Sequence, residues 1–241
     1  MNLRPSKSTK ISLLILVILL LAFIGLAFLK RESLLPLFLH IKGSQAIKLP
    51  TPALRSNTSI EEALKERRSI RQYKAEALSL QQIGQLLWAA QGVTNTAGFR
   101  TAPSAGGIYP LEVYLVSGAV QNLPAGVYHY LPGEHSLELV VSGDKRREVM
   151  AAAHEQNEAN AGAIELIITG NYKKSNSKYG NQGERFVHLE AGHAAENVYL
   201  QAVSLGLGTV GVGIFDETAL KKSLNIPRDE DPIYIMPVGK R

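Results

Sequence analysis

The sequence predicts an α+β fold, a mixed or antiparallel sheet flanked by helices, preceded by one transmembrane helix. Three observations lead there. Short runs rich in Val, Ile, Leu and Tyr, bounded by Gly, Pro or Ser, read as strands. Segments with a 3.6-residue apolar period and capping residues interleave irregularly with those runs. Residues 11–29, ISLLILVILLLAFIGLAFL, contain no charged side chain.

The elements follow in chain order. Nineteen apolar residues span roughly 29 Å at helical rise, close to a hydrocarbon core of about 30 Å. Lys30, Arg31 and Glu32 come directly after them and no A-x-A cleavage pattern appears, so an uncleaved anchor over residues 1–30 is expected rather than a signal peptide. Basic residues flank the span almost equally, which leaves its orientation open. Residues 31–56 read as a juxtamembrane segment and linker, extended around Pro50 and Pro52. A globular domain is expected over residues 57–241. Thr58 and Ser59 precede Glu61 and Glu62, a capping-box signature for a short helix ending near the arginines. LSLQQIGQLLWAAQG repeats the device: Ser79 caps, Leu78 staples onto Ile83, and Gly92 suits the stop. LEVYLVS (111–117), GVYHYL and LELVVS around Pro132-Gly133, AIELIITG (163–170) and PIYIMPVG (232–239) are the strands. NYKKSNSKYGNQGER reads as a polar loop. In the long helix after it, Val187, Ala191, Ala194, Val198, Ala202 and Leu205 form one apolar stripe.

Composition removes several function classes. The net charge is +5, yet residues 1–50 hold seven Lys/Arg against one acid, and the other 19 bases face 20 acids. The basicity belongs to the tail, so the domain has no electrostatic footprint for nucleic acid. The chain has no cysteine, which excludes disulfides, thiolate nucleophiles and Cys-ligated metal centres. His188 and His193 are five apart, about 140° round a helix, and do not match a zinc-helix spacing. No metal site is expected. The G-x-S-x-G context of a serine hydrolase is absent as well.

Four stretches could carry chemistry. RRSIR, with Arg67, Arg68, Ser69 and Arg71, closes a helix in an otherwise neutral domain; it is either a solvated cationic face or an anion clamp, for which arginine's forked donors suit a phosphate. TAPSAGGIYP offers Pro103, Ser104, Ala105, Gly106 and Gly107 before a strand, a tight turn or a loop whose backbone can approach a flat ligand. It is neither a dinucleotide fingerprint nor a P-loop. GLGTVGVGIFD holds Gly211, Val212 and Gly213 after the long helix, an ordinary strand or one whose backbone is contacted on a face. Lys178 and Tyr179 adjoin in polar surroundings, and matter to proton transfer only if they face a cavity.

Taken together, RRSIRQY, the LSLQQIGQLLWAAQG helix, RTAPSAGGIYPLEVYLV, KYGNQGERFVHLEAGHAAENVYLQAVSLGLGTV and the closing MPVGK resemble the nitroreductase-like flavoproteins, in particular their SagB/ThcOx-type dehydrogenase branch. The resemblance spans about residues 48–241. It implies a segment-exchanged homodimer with two FMN sites at the subunit interface. Arg67, Arg68, Ser69 and Arg71 would hold the phosphate and ribityl chain, with Lys240 or Arg241 completing the phosphate site. Residues 103–107, supplied by the partner subunit, and residues 211–213 would line the isoalloxazine. Lys178 and Tyr179 match the pair assigned base and positioning roles in azoline-oxidising relatives. The function implied is hydride transfer between flavin and a small-molecule or peptide substrate, by an enzyme tethered to the membrane through residues 11–29. The alternatives are an NAD(P)H-dependent nitro or quinone reductase and a non-catalytic flavin-binding or assembly module. The supply of FMN and reduced nicotinamide favours the cytoplasmic face.

Overall fold

A computed structural model describes residues 46–153 and 162–241. The expected membrane helix at 11–29 and most of the juxtamembrane segment lie outside the described residues. Among those described, no helix is long and apolar enough to cross a membrane.

The centre of the domain is a seven-stranded sheet. Its strands are β1 (Ile47–Lys48), β2 (Leu111–Ser117), β3 (Gly126–Leu131), β4 (Ser136–Ser142), β5 (Ile164–Gly170), β6 (Leu207–Thr209) and β7 (Asp231–Lys240). Their spatial order is β1-β4-β3-β2-β5-β7-β6, and every neighbouring pair is antiparallel. β5 lies near the middle and all seven of its residues are buried. Coverage on both faces explains its nearly continuous apolar sequence.

Helices are α1 (Ile60–Glu66), α2 (Leu80–Gln91), α3 (Arg146–Ala152), α4 (Tyr172–Tyr179), α5 (Gly183–Ser204) and α6 (Glu217–Leu224). On one face of the sheet, Ile83, Leu86 and Leu87 of α2 and Val187, Ala191 and Val198 of α5 share a core with Leu115, Leu166 and Val238. On the other, Val149 of α3 and Leu220 and Leu224 of α6 pack on Val116, Ile167 and Ile235. The alanine-rich stripe of α5 is what lets this long helix lie close to its neighbours; Val187, Ala191, Ala194 and Val198 are fully buried.

Local signals account for the helix ends. Ser79 and Gln82 form a complete capping box, and Leu78 and Ile83 are both buried in one core. At α1 only half of the motif forms: Ser59 accepts from the Glu62 amide. Gly92 stops α2 for a reason other than a left-handed turn, since its φ is −66°. A Cβ there would collide with the Trp88 ring and carbonyl. Gly92→Ala is therefore expected to destabilise the domain by about 1–3 kcal/mol, read as a lowered urea midpoint at unchanged slope.

Two expectations need revision. The supposed loop after Asn171 is helix α4 followed by a 3-10 turn, Gly180–Gln182. The Asn171 side chain caps the Lys174 amide and Ser175 is buried, so a short helix forms although only one of its residues is fully covered. The last part of the extended linker runs along the domain: Ile47 and Lys48 pair with β4, Leu49 is buried, and the Gln85 side chain grips both backbone polar groups of Ala53.

Candidate active site

The arginine turn sits where α1 ends. The Arg67 amide closes α1 on the Ala63 carbonyl, and from there the chain runs beside β6. Ser69 bridges Thr209, the Ile70 amide donates to the Thr209 carbonyl at 2.9 Å, and the Lys74 amide donates to the Lys240 carbonyl at 2.9 Å. Tyr73 packs over Gly239, where a Cβ would not fit, and its hydroxyl donates to the Ile70 and Pro237 carbonyls. Burial raises the Tyr73 pKa, with the Glu165 charge adding to it, so this hydroxyl remains a donor. The segment from Ser69 to Lys74 thus runs from the edge strand β6 to the end of β7 at Lys240.

The arginines differ in their placement. Arg67 lies over the Tyr199 ring, 5.4 Å from its centroid, with its Nε 3.9 Å from Glu196. Arg68 folds back instead: its Nη1 donates to the carbonyls of Lys65 at 2.9 Å and Arg67 at 2.7 Å, satisfying the open end of α1. Arg71 is exposed and close enough to Tyr73 to act on its charge. Tyr199, on α5, links this turn to the glycine segment that follows β6. Its hydroxyl receives the Gly211 amide at 2.7 Å and lies 3.3 Å from the Ser69 hydroxyl. Val212 is buried and bridges Ile235, and Gly213 is exposed with open space on its side-chain position.

A second group forms around residues 103–107. Ala105–Gly107 make a 3-10 turn in which Gly106 has φ 62° and Gly107 φ 66°, values that suit glycine. The Ser104 hydroxyl accepts the Tyr109 amide at 2.9 Å, which holds the turn closed. Lys178 and Tyr179, at the end of α4, come to this turn: Lys178 Nζ donates to the Gly106 carbonyl at 3.3 Å, and a Cβ on Gly106 would overlap both Lys178 Nζ and the Tyr179 hydroxyl. Tyr179 is steadied by Phe186 of α5, ring to ring at 4.8 Å. The structure brings these two stretches into contact.

Beneath this turn lies a polar cluster with no sequence motif. Arg100 stacks on Tyr109 at 4.8 Å and donates to Gln91 at 2.9 Å. Glu190 of α5, 3% exposed, faces Ser104, Arg100 and Gln91. Burial lifts its carboxyl to about 7 against the pull of those three neighbours.

The two groups occupy opposite sides of α5. Glu190 and Tyr199 are nine residues apart, which is half a turn out of phase and about 14 Å along the axis. The arginine turn with residues 211–213 faces one way, and residues 103–107 with Lys178 and Tyr179 face the other. Among the described residues, no group of three His, Asp or Glu is placed to hold a metal. His188 lies instead against the Tyr172 hydroxyl at 2.8 Å.

Tyr199, Glu190 and Arg100 were missed in the sequence. Each stands alone in an apolar or ordinary surface pattern, and only the fold reveals its neighbours. The chain as a whole is similar to known proteins. Over 182 residues the chain is 43% identical to the nitroreductase-like protein MJ1384 of Methanocaldococcus jannaschii, covering 76% of this chain and 91% of that one. A solved nitroreductase-like protein of Ralstonia eutropha superimposes with a TM-score of 0.73 at 33% identity, covering 82% of this chain and 91% of that one. The microcin B17-processing protein McbC of Escherichia coli is 28% identical over 155 residues, 62% of this chain but only 57% of McbC. With the family pattern matching residues 64–240, from the end of α1 to the end of β7, the chain belongs to the Nitroreductase family of oxidoreductases.

Proposed function

We propose that the chain is an FMN-dependent oxidoreductase of the SagB/ThcOx dehydrogenase type, a homodimer tethered to a membrane by residues 11–29 with its domain on the cytoplasmic face. The observation that carries the reading is the union of Lys178 and Tyr179 with the Gly106 turn.

The residues present fit FMN. Arg67, Ser69 and Arg71 lie on one turn beside β6 and would supply donors and positive charge for a phosphate dianion, with Lys240 or Arg241 at the end of β7 completing it. Gly107 and Gly213 leave bare backbone with open space in front, as a flat ring requires. FMN would supply the two-electron redox centre. Because the two groups lie on opposite sides of α5, the site is completed by residues 103–107 of a second copy. Exposed apolar side chains are available for such a contact: Leu54, Ile60, Leu64, Phe99, Leu189 and Ile214 are each at least half exposed. Lys178 and Tyr179 would then take up the proton that leaves the substrate as it is dehydrogenated, with Gly106 fixing the distance between them and the turn.

The similarity to McbC, named for processing a microcin, favours a peptide substrate over a simple quinone or nitro compound. An NAD(P)H-driven reductase is the second reading, favoured by the relationship to MJ1384.

The test is the visible spectrum of the purified full chain, with the released chromophore identified by mass. A flavin spectrum yielding FMN supports the reading; a colourless protein that ignores added FMN defeats it. Lys178→Met combined with Tyr179→Phe is expected to slow single-turnover oxidation of azoline-containing peptides by roughly 10²–10⁴-fold, followed by loss of flavin absorbance. An unchanged rate would transfer the assignment to the reductase.

A further inference from the structure

The Glu190 cluster lies behind the glycine turn and has no part in the proton chemistry assigned to Lys178 and Tyr179. A carboxyl group that is 97% buried is costly unless its oxygens are matched by donors. Here Oε1 has no hydrogen-bond partner among the described residues, and neither has the adjacent Gln91 Nε2. The Gln91 carbonyl oxygen is already taken by Arg100. The Ser104 hydroxyl oxygen is taken by the Tyr109 amide, so its own proton is free to donate, and Glu190 is the acceptor that faces it.

We propose that Glu190 is a positioning residue which, as a carboxylate, anchors the turn at residues 103–107 through the Ser104 hydroxyl, so that FMN affinity declines when Glu190 is protonated.

The donor inventory sets the direction. Ser104 from the turn, Gln91 from α2 and Arg100 from the loop before the turn all present N–H or O–H groups. Arg100 is the charged group that faces Glu190 from these elements, and on α5 itself Phe186, one turn earlier, presents only its ring to Tyr179. Three donors suit an anion that only accepts. Protonation removes the charge these donors serve, and a hydrogen bond to a neutral carboxyl is weaker than one to a carboxylate, so the hold on Ser104 loosens. The folded-state pKa is raised to about 7, above the ordinary 4.5. The carboxylate therefore prevails above neutrality and is lost as the pH falls through that value.

This inference rests on the flavin reading, and the experiment separates the two. FMN is titrated into the full-length apoprotein from pH 5.5 to 8.5, with binding read by quenching of flavin fluorescence, for the wild type and for Glu190→Gln. Taking the ratio of the two dissociation constants at each pH cancels the titration of the FMN phosphate itself. The variant is expected to bind about tenfold more weakly at pH 8.5, the value of one hydrogen bond to a charged group, and equally at pH 5.5. A ratio that does not change with pH overturns the role of Glu190 while leaving the flavin site intact. No FMN binding by the wild type overturns both. Should Glu190→Gln fail to fold, Ser104→Ala removes the other end of the same contact and must give the same pH-dependent ratio.

Discussion

Arg67→Ala and Arg71→Ala are each expected to weaken FMN binding by roughly 10- to 100-fold. A hydrogen bond to a charged group contributes about 1.5–3 kcal/mol, and 1.4 kcal/mol is a factor of ten. Arg67 is held over Tyr199 beside Ser69, at the start of the strip that the glycine segment closes. Arg68→Ala should behave differently. Its guanidinium serves the open carbonyls of α1, so its loss lowers stability slightly and FMN affinity by less than about tenfold. Fluorescence titration with FMN and with riboflavin checks the assignment. Riboflavin lacks the phosphate, so its affinity should be nearly the same in all three variants. Equal losses for both ligands would remove the phosphate from this edge.

Glu165→Leu is expected to stabilise the domain by about 1–3 kcal/mol at pH 8, with a rise in Tm of about 2–4 °C for each kcal/mol. Glu165 is the second residue of β5, between Val116 of β2 and Pro237 of β7, on the face packed by α3. It is 0% exposed, and neither carboxylate oxygen has a hydrogen-bond partner among the described residues. The nearby Arg146 is occupied by Asp144 and the Gly162 carbonyl. Burial therefore drives the Glu165 pKa well above its ordinary value, against the attraction of Arg146. The pH dependence follows from that direction. The folded state holds the proton more tightly than the unfolded chain, so this group's contribution is greatest below pH 4.5 and is lost as pH rises toward the folded pKa. The advantage of the leucine variant should grow over the same interval. Denaturant melts at pH 5 and pH 8 would show it, and an advantage that shrinks with pH would contradict the account.

Much of the fold was legible because it depends on local rules. The Ser79–Gln82 box, the β5 apolar run and the alanine stripe of α5 each state their structure in one short stretch of sequence. Helix α4 was not legible. Its polar sequence has no apolar stripe, and what marks it is a single cap at Asn171 together with its packing against α5. The same division holds at the site. RRSIR and PSAGG could be picked out by composition, since charge and glycine are local signals. Their arrangement on opposite sides of α5 could not, because it depends on where the sheet places each loop. Glu165 and Glu190 show the limit most clearly: two glutamates of ordinary appearance become buried carboxyls with raised pKa values only once distant segments have folded around them.

The Tyr199 hydroxyl has a consequence for how binding energy is used. It takes the Gly211 amide and touches Ser69, so one atom on the rigid core helix sets the positions of two surface segments. The gap between those segments is then dictated by a helix rather than by the loops themselves. A ligand spanning them meets a span whose length is already chosen. Less entropy is left to lose on binding, and more of the contact energy is retained as affinity.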